Sequence, residues 1–580
     1  MGGLRVWAPR ASSVELELAG RCVPMTQAGG GWWEVRVRPA DPPLDYAFRL
    51  DGGEPLPDPR SPWQPSGLRA ASRSVDHAAF PWSDAQWRAP SLSSGVIYEV
   101  HIGTFTDEGT FAAAIRRLDH LADLGVTHVE LMPVAGFPGA RGWGYDPSSL
   151  YAPHEGYGGP VGLKRFVDAC HARGLAVLLD VVYNHVGPSG DYLHRFGPYF
   201  TARATAWGAA VNLDDEGCGE VHRFLLDNAL MWLRDYHADG LRVDAVHALL
   251  DTSTPHFLEE LTREVEELGA RLGRPFVLVA ESNLNDPRLV RGRDAGGCGF
   301  DAQWNDDIHH AVHAALTGER AGYYGDFGSL ADVAKALSEG FVYDGRYSAY
   351  HRRPHGHPAT GLSGHRFVGF LQNHDQVGNR PRGERLSALV SVGRVKIAAA
   401  LLLTSPFVPL LFQGEEWGAT APFLYFTDHG DPVLASAVRD GRRREFGAFG
   451  WKLDQLPDPE AVETFERSRL DWAEVGRPPH AGLMEWHRRL LRFRRERPEL
   501  RNGRLDRTRL RFDEHERWLV MEREGIIVAC SLASKRVQVR LPPADLLLAS
   551  EPGVRVGPEG VKLPPDSAAI LAVRDPPSPV

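Results

Sequence analysis

The 580-residue sequence predicts an α/β protein, a (β/α)8 barrel with an N-terminal β-sandwich and a C-terminal β-domain. Three observations carry that prediction. Between residues 96 and 412, eight short apolar runs alternate with amphipathic helical stretches, as parallel βα units do. On both sides of this region the chain alternates apolar and polar residues with period two. Four of the apolar runs end in acids, Asp180, Asp244, Glu281 and Asp375, at the strand ends where a barrel carries its chemistry.

The N-terminal unit, 1–88, rests on Val14, Leu16 and Leu18 alternating with Glu15 and Glu17. Trp33, Val35 and Val37 likewise alternate with Glu34, Arg36 and Arg38. Such patterns, divided by Gly and Pro, mean half-buried antiparallel strands. The barrel is expected over 89–498. Its strands are read at 96–102, 127–134, 175–182, 241–246, 276–281, a weaker 301–305, 366–373 and 407–412. One intervening helix is expected through Phe111, Ile115, Leu118 and Leu121, another through Val221, Phe224, Leu225, Ala229, Trp232 and Tyr236. The connection after strand three, 187–217, is long for a barrel and predicts a small subdomain beside the mouth. Alternation without helices returns from Trp518 to Val573, giving the C-terminal β-domain, 499–580.

Composition narrows the function. With 65 Lys+Arg against 75 Asp+Glu, the formal charge is −10, which argues against a nucleic-acid partner. Cys22, Cys170, Cys218, Cys298 and Cys530 are scattered without a CxxC pair, so neither a disulfide framework nor a zinc knuckle is expected. The first residues, MGGLRVWAPR, lack an apolar signal core, and the run 397–412 is short and broken by Pro406 and Pro409. A cytoplasmic enzyme without a membrane partner is the expectation. The 15 Trp, 15 Tyr and 25 Phe supply flat faces that suit sugar rings, although most such residues fill cores.

The strand ends carry the chemistry. Strand three ends in DVVYNH, with Asp180, Asn184 and His185; strand four carries GLRVDAVH, with Arg242, Asp244 and His247. Strand five ends in VAES, with Glu281, and strand seven in QNHD, with His374 and Asp375. An unpaired carboxylate is costly to bury, so one strand-end acid reads as a salt-bridged barrel rim. Acids at four ends do not. Arg242 and Asp244 are two apart and share a face, and the guanidinium favours the ionised carboxylate expected of a nucleophile. Glu281 follows the apolar FVLVA, where desolvation favours the protonated acid. One ionised and one protonated carboxyl make a retaining glycosidase pair, held about 5–5.5 Å apart.

DVVYNH, GLRVDAVH, VAES and QNHD, in that order and each at a strand end, resemble the four sequence regions of the α-amylase family of glycoside hydrolases. The resemblance spans roughly 1–580. It implies Asp244 as nucleophile, Glu281 as acid/base and Asp375 as transition-state stabiliser. It further implies Arg242, His185 and His374 as contacts of the sugar on the glycone side of the cut and Asp180 as a structural and orienting residue of that binding site, with His247 nearby. Tyr145, in GWGYDP, matches the residue that stacks on that sugar. RVWAPRASSVELEL resembles the Ig-like module before the barrel in branching, debranching and trehalose-releasing members. YEVHIGTFTDEGTF, LMPVAGFPGARGWGYDPSSLYAPHEGYGGP, NHDQVGNRPRGERL and LLFQGEEWGATAPFLYFTDH are similar to the trehalose-releasing branch. The implied reaction is hydrolysis of the α-1,4 bond beside a terminal trehalose, with maltooligosyl chains ending in trehalose as substrate and trehalose as product. Trp143, Tyr151, Tyr157 and the 423–429 loop are candidates for shaping the leaving-group side.

Two rivals remain. A 1,4-α-glucan branching transferase would use the same acids, although such enzymes have Ser-His-Asp where this chain reads Asn373-His374-Asp375. A non-catalytic carbohydrate-binding relative would have lost an acid that is present here. No cofactor is expected. Asn184 sits where calcium-dependent relatives place a ligand, but the trehalose-releasing branch implies no metal. His351, His355 and His357 fit no compact zinc spacing and read as a polar loop after strand six. GYGGPVG, 156–162, reads as a turn. The arginines of GRRREF (441–446) and HRRLLRFRRERP (487–498) read as solvated helix faces, with Leu490, Leu491 and Phe493 packing inward. Asp214 and Asp215 read as surface residues.

Overall fold

The computed structural model describes residues 3–36, 43–188, 192–448 and 456–574. Eight strands close a barrel in chain order: β1 (Ile97–Val100), β2 (His128–Leu131), β3 (Ala176–Val181), β4 (Gly240–Val243), β5 (Val277–Ala280), β6 (Ala302–Asn305), β7 (Phe367–Phe370) and β8 (Val408–Phe412). Neighbours pair in parallel, and β8 returns to β1 with Leu410 opposite Ile97. Each expected strand contains one of these, the weak sixth included, except that β4 starts one residue before the expected 241, at Gly240. Six of the observed strands stop short of the C-terminal end of the expected run, while β6 and β8 reach it. There the backbone leaves the ladder, as at Ala245 with φ 39°, to turn side chains toward the mouth.

Strand parity connects core to chemistry. Ile97, Leu178, Val279, Trp304, Phe370 and Leu410 fill the barrel as one buried group. Residues two further along share their face, so Ile97 leads to Glu99, Leu178 to Asp180 and Val279 to Glu281. The interior therefore emerges at the top as carboxylates. Gly240 takes an inward position where no side chain fits: a Cβ there would stand 2.3 Å from the Val277 carbonyl oxygen and 2.8 Å from Leu178 Cδ2.

Among the helices, Cys218–Asp235 buries Val221, Phe224, Leu225, Ala229 and Trp232 as expected. The stripe from Phe111 to Leu121 is two helices, Phe111–Ile115 and Leu118–Leu124. The first tightens where the Arg116 N–H donates to both Ala113 O and Ala114 O. Helix His480–Glu496 buries Leu490, Leu491 and Phe493, but its arginines are not all solvated. Arg494 is buried and donates to the carbonyls of Leu403, Ser405 and Phe407, capping the backbone of the turn before β8. GYGGPVG forms a turn that opens the helix Gly159–His171.

The N-terminal part holds a three-stranded antiparallel sheet (Gly3–Trp7, Trp32–Arg36, Thr26–Gly29) and a five-stranded one built around Val14–Leu18 and Asp45–Leu50. Val14, Leu16 and Trp33 are buried between them; Val37 and Arg38 lie outside the described residues. The C-terminal part pairs a five-stranded with a three-stranded antiparallel sheet. After β3 come a short helix, Leu193–Phe196, and a hairpin, Phe200–Thr205 with Gly208–Val211; residues 189–191 of this connection are not described. Tyr199 and Phe196 pack edge-on against Trp7 and Phe48 of the N-terminal sheets, which ties the connection down. Asp214 is not a surface residue. It pairs with Arg203 of the hairpin and accepts from Thr252 after β4, joining the two loops, and its side chain is 8% exposed. No helix among the described residues is long and apolar enough to cross a membrane.

Candidate active site

Register brings the charged strand ends together. Asp180 on β3 lies opposite Arg242 on β4. The buried Arg242 guanidinium donates from one nitrogen, Nη1, to both oxygens of Asp180 at 2.9 and 2.8 Å and to Asp244 Oδ1 at 2.6 Å. Its Nη2 is 3.8 Å from Glu281 Oε2. One cation thus touches the acids of three successive strands. Beneath it lies the Trp304 ring from β6, 4.2 Å from the guanidinium carbon, a cation–π floor.

The two central acids have different surroundings. Asp244 accepts from Asn184 Nδ2 at 2.9 Å on its other oxygen, so both carboxylate oxygens are held by donors. Glu281 accepts one backbone N–H, from Ala245 at 2.6 Å. Burial pushes the Glu281 carboxyl up to about 7; Arg242 opposes this, while Asp244 and Asp375 add to it. A Glu281 carboxyl that keeps part of its protons near neutral pH and an Asp244 carboxyl held by a donor on each oxygen therefore face one mouth.

The surrounding residues fall into place around that pair. Tyr145 donates to Asp180 Oδ2 at 2.5 Å, and its ring lies nearly parallel to His374 at 5.0 Å. His374 Nδ1 bonds Glu99 Oε1, and its backbone N–H donates to Glu99 Oε2 at 2.9 Å. Burial opposes a charge on His374, but Glu99 outweighs it and the net shift is upward, favouring a ring that donates from Nε2. His185 Nε2 donates to the Tyr145 carbonyl at 2.8 Å and Nδ1 lies against Asn184, so an expected bond from His185 to a sugar would have to replace one of these. His247 is half-buried with Nδ1 unpartnered among the described residues. Asp375 is exposed to the mouth and accepts from Asn379 Nδ2 at 2.5 Å.

Other expected residues sit elsewhere. Trp143 is buried, its ring edge-on to His374 at 5.4 Å and its Nε1 donating to Leu424 O, so it backs the site. Tyr151 is buried with its hydroxyl on Phe224 O, and Tyr157 with its hydroxyl against His101. Both rings belong to the buried core. His351 and His355 belong to a hairpin (Asp344–Ser348 with Arg353–Gly356), their rings stacked 3.9 Å apart.

Several site residues escaped the sequence reading. Glu99 and Trp304 lie inside strands, where parity with the apolar core was the available signal. Asp306 follows directly on β6. Burial raises its carboxyl well above the usual range, with Glu281 and Asp375 adding to the shift. Trp207, at the tip of the 200–211 hairpin, is 50% exposed and lies parallel to His185 at 5.7 Å. Nothing local in sequence marks a hairpin-tip tryptophan as belonging to a distant mouth.

Comparisons with known proteins give the family. A model of the alpha amylase catalytic domain matches residues 80–205, and a domain of unknown function, DUF3459, matches 503–570. The malto-oligosyltrehalose trehalohydrolase of Rhizobium sp. (strain M-11) is 48% identical, covering 98% of this chain and 97% of the relative. That of Arthrobacter ramosus is 49% identical, covering 98% of each. A 1.4 Å crystal structure from Salmonella typhimurium superposes with a TM-score of 0.90 at 39% identity, covering 98% of this chain and 97% of that one.

Proposed function

The chain belongs to the malto-oligosyltrehalose trehalohydrolases, glycoside hydrolases of the α-amylase family acting on α-glucans, and from that premise we propose its reaction and the residues that perform it. The bond cleaved is the α-1,4 link between a maltooligosaccharide and its terminal trehalose. Asp244 attacks the anomeric carbon while Glu281 gives its proton to the departing trehalose oxygen, leaving a glycosyl ester on Asp244. Glu281, now ionised, takes a proton from water as its oxygen attacks the same carbon. The ester breaks, Asp244 is released and the configuration is retained.

The observation that carries this reading is the unequal pair around Arg242. Asp244 has each oxygen on a donor, which suits a nucleophile that stays ionised. Glu281 has one backbone donor and a carboxyl pushed up to about 7, which suits an acid that must both give and recover a proton. Asp375 and His374 then hold hydroxyls of the glycone sugar and favour its flattened ring, Tyr145 stacks on that sugar, and Asp180 and Arg242 fix the nucleophile. His185 and His247 complete the pocket walls, and Trp143 supports His374 from behind.

The test is incubation with maltotriosyl trehalose and, separately, amylose. Free trehalose and maltotriose are expected from the first, with the new reducing end appearing first as the α-anomer. New α-1,6 branches in amylose without trehalose would instead identify a transferase, and sugar binding without turnover a scaffold.

A further inference from the structure

The arginine run of GRRREF reads in sequence as a solvated helix face, yet Arg442 is half-buried against the site. It lies on the helix Pro432–Ala448, which follows β8. Arg442 Nη1 donates to Asn379 Oδ1 at 2.7 Å, Nη2 donates to the Gly378 carbonyl at 3.2 Å, and the guanidinium carbon lies 4.6 Å from the Tyr425 ring centroid. Asn379 caps the short helix His374–Gly378 and donates from Nδ2 to Asp375 Oδ1 at 2.5 Å.

The chemistry of these groups removes a freedom. A carboxamide has an acceptor end and a donor end, and an arginine offers donors only. The end of Asn379 that meets Arg442 must therefore be its oxygen, which turns the NH2 toward Asp375. The positive charge also polarises the amide, strengthening the bond it donates. Asp375 is open to the mouth and has this side-chain donor on Oδ1, so the chain Arg442–Asn379 sets how its carboxylate is rotated and leaves Oδ2 for sugar hydroxyls.

We propose that Arg442 is a positioning residue for the hydrolysis, acting through Asn379 to hold the Asp375 carboxylate in the orientation that favours the flattened sugar ring. This rests on the role given to Asp375 above. Arg442 itself touches no reacting atom. A contact that matters most when the ring flattens acts on the transition state, so its loss falls on kcat and spares KM.

Arg442→Met keeps the stem over Tyr425 and removes the donors. The expected result is a kcat lower by about 10–100-fold with KM within about threefold, since small misplacements of a catalytic group cost that much. Asn379→Ala should match it, and the double variant should lose no more than either single one. Neither change should lower the residual rate of an Asp375→Asn enzyme further, and Arg442→Lys should restore part of kcat. If Arg442→Met fails to fold, Asn379→Ala and Arg442→Lys carry the same test. A kcat for Arg442→Met within twofold of the parent, beside an inactive Asp375→Asn, would overturn this inference alone. So would equal losses in the parent and Asp375→Asn backgrounds. Near-normal activity of Asp375→Asn would overturn the assignment beneath it as well.

Discussion

Glu281 and Asp244 are both strand-end carboxyls beside one guanidinium, and the difference in their roles comes from what else each touches. A general acid works while protonated, so kcat/KM should fall as pH rises through about 7, the value to which burial pushes Glu281. A pH–rate profile with its alkaline limb above 9 would contradict that role. The same shift carries a stability cost. The folded carboxyl holds its proton above the ordinary value of about 4.3, so the native state binds the extra proton and loses stability as pH climbs toward 7. Glu281→Gln should therefore remove catalysis and stabilise the fold at pH 8 by roughly 1–3 kcal/mol, with a smaller gain at pH 5. Urea unfolding at the two pH values measures it. Asp244→Asn should lower kcat by orders of magnitude with the fold intact, checked by circular dichroism beside the kinetics.

At the scale of elements, the barrel tolerates no bulk where strands crowd. Gly240→Ala would drive a methyl against the Val277 carbonyl, and the strand must shift; a loss of about 1–3 kcal/mol is expected, read as a lowered Tm. The 200–211 hairpin is a different kind of element, since its Trp207 gains nothing for folding by standing 50% exposed beside His185. Trp207→Ala should leave Tm unchanged and raise KM for the oligosaccharide by about three- to tenfold, the value of one aromatic face. The barrel strands were legible where they are buried apolar runs, the sixth only weakly because two of the four residues of AQWN are amides, and the four acids because a strand has no packing reason to end in one. Asp214, Arg442 and Arg494 were misread for one reason. A charged side chain in a helix or loop looks solvated until the element opposite it is known, and each partner lies at least eleven residues away in sequence.

Across the whole molecule the three parts share one continuous core, from Val6 and Phe48 through the barrel to Val528 and Ile570. Polar ties reinforce it. Arg60, between the last two strands of the five-stranded N-terminal sheet, donates to the Tyr151 hydroxyl and Asp227 of the barrel, and Arg523 of the C-terminal part donates to the Thr404 carbonyl. Buried histidines set the acid limit of this assembly. Burial pushes His310 down to about 3 and His101 and His128 to about 4. They stay neutral in the fold, while the unfolded chain takes up protons below about 6.5. Stability should consequently fall as pH drops from 6.5 toward 4. His310→Phe, which keeps a ring against Tyr323, should flatten that slope in urea titrations at successive pH values.

By itself the sequence determined the order of elements and the residue types at the strand ends, because period-two and helical patterns are local and a barrel reads its strands in chain order. That was enough to identify the acids and the family they resemble. Only the tertiary structure decided how those acids differ. The guanidinium shared by Asp180, Asp244 and Glu281, the burial that raises Glu281 and the Arg442–Asn379 hold on Asp375 all join residues distant in the chain. Charge and proton affinity depend on distance and burial in space, and neither is written in the local order of residues.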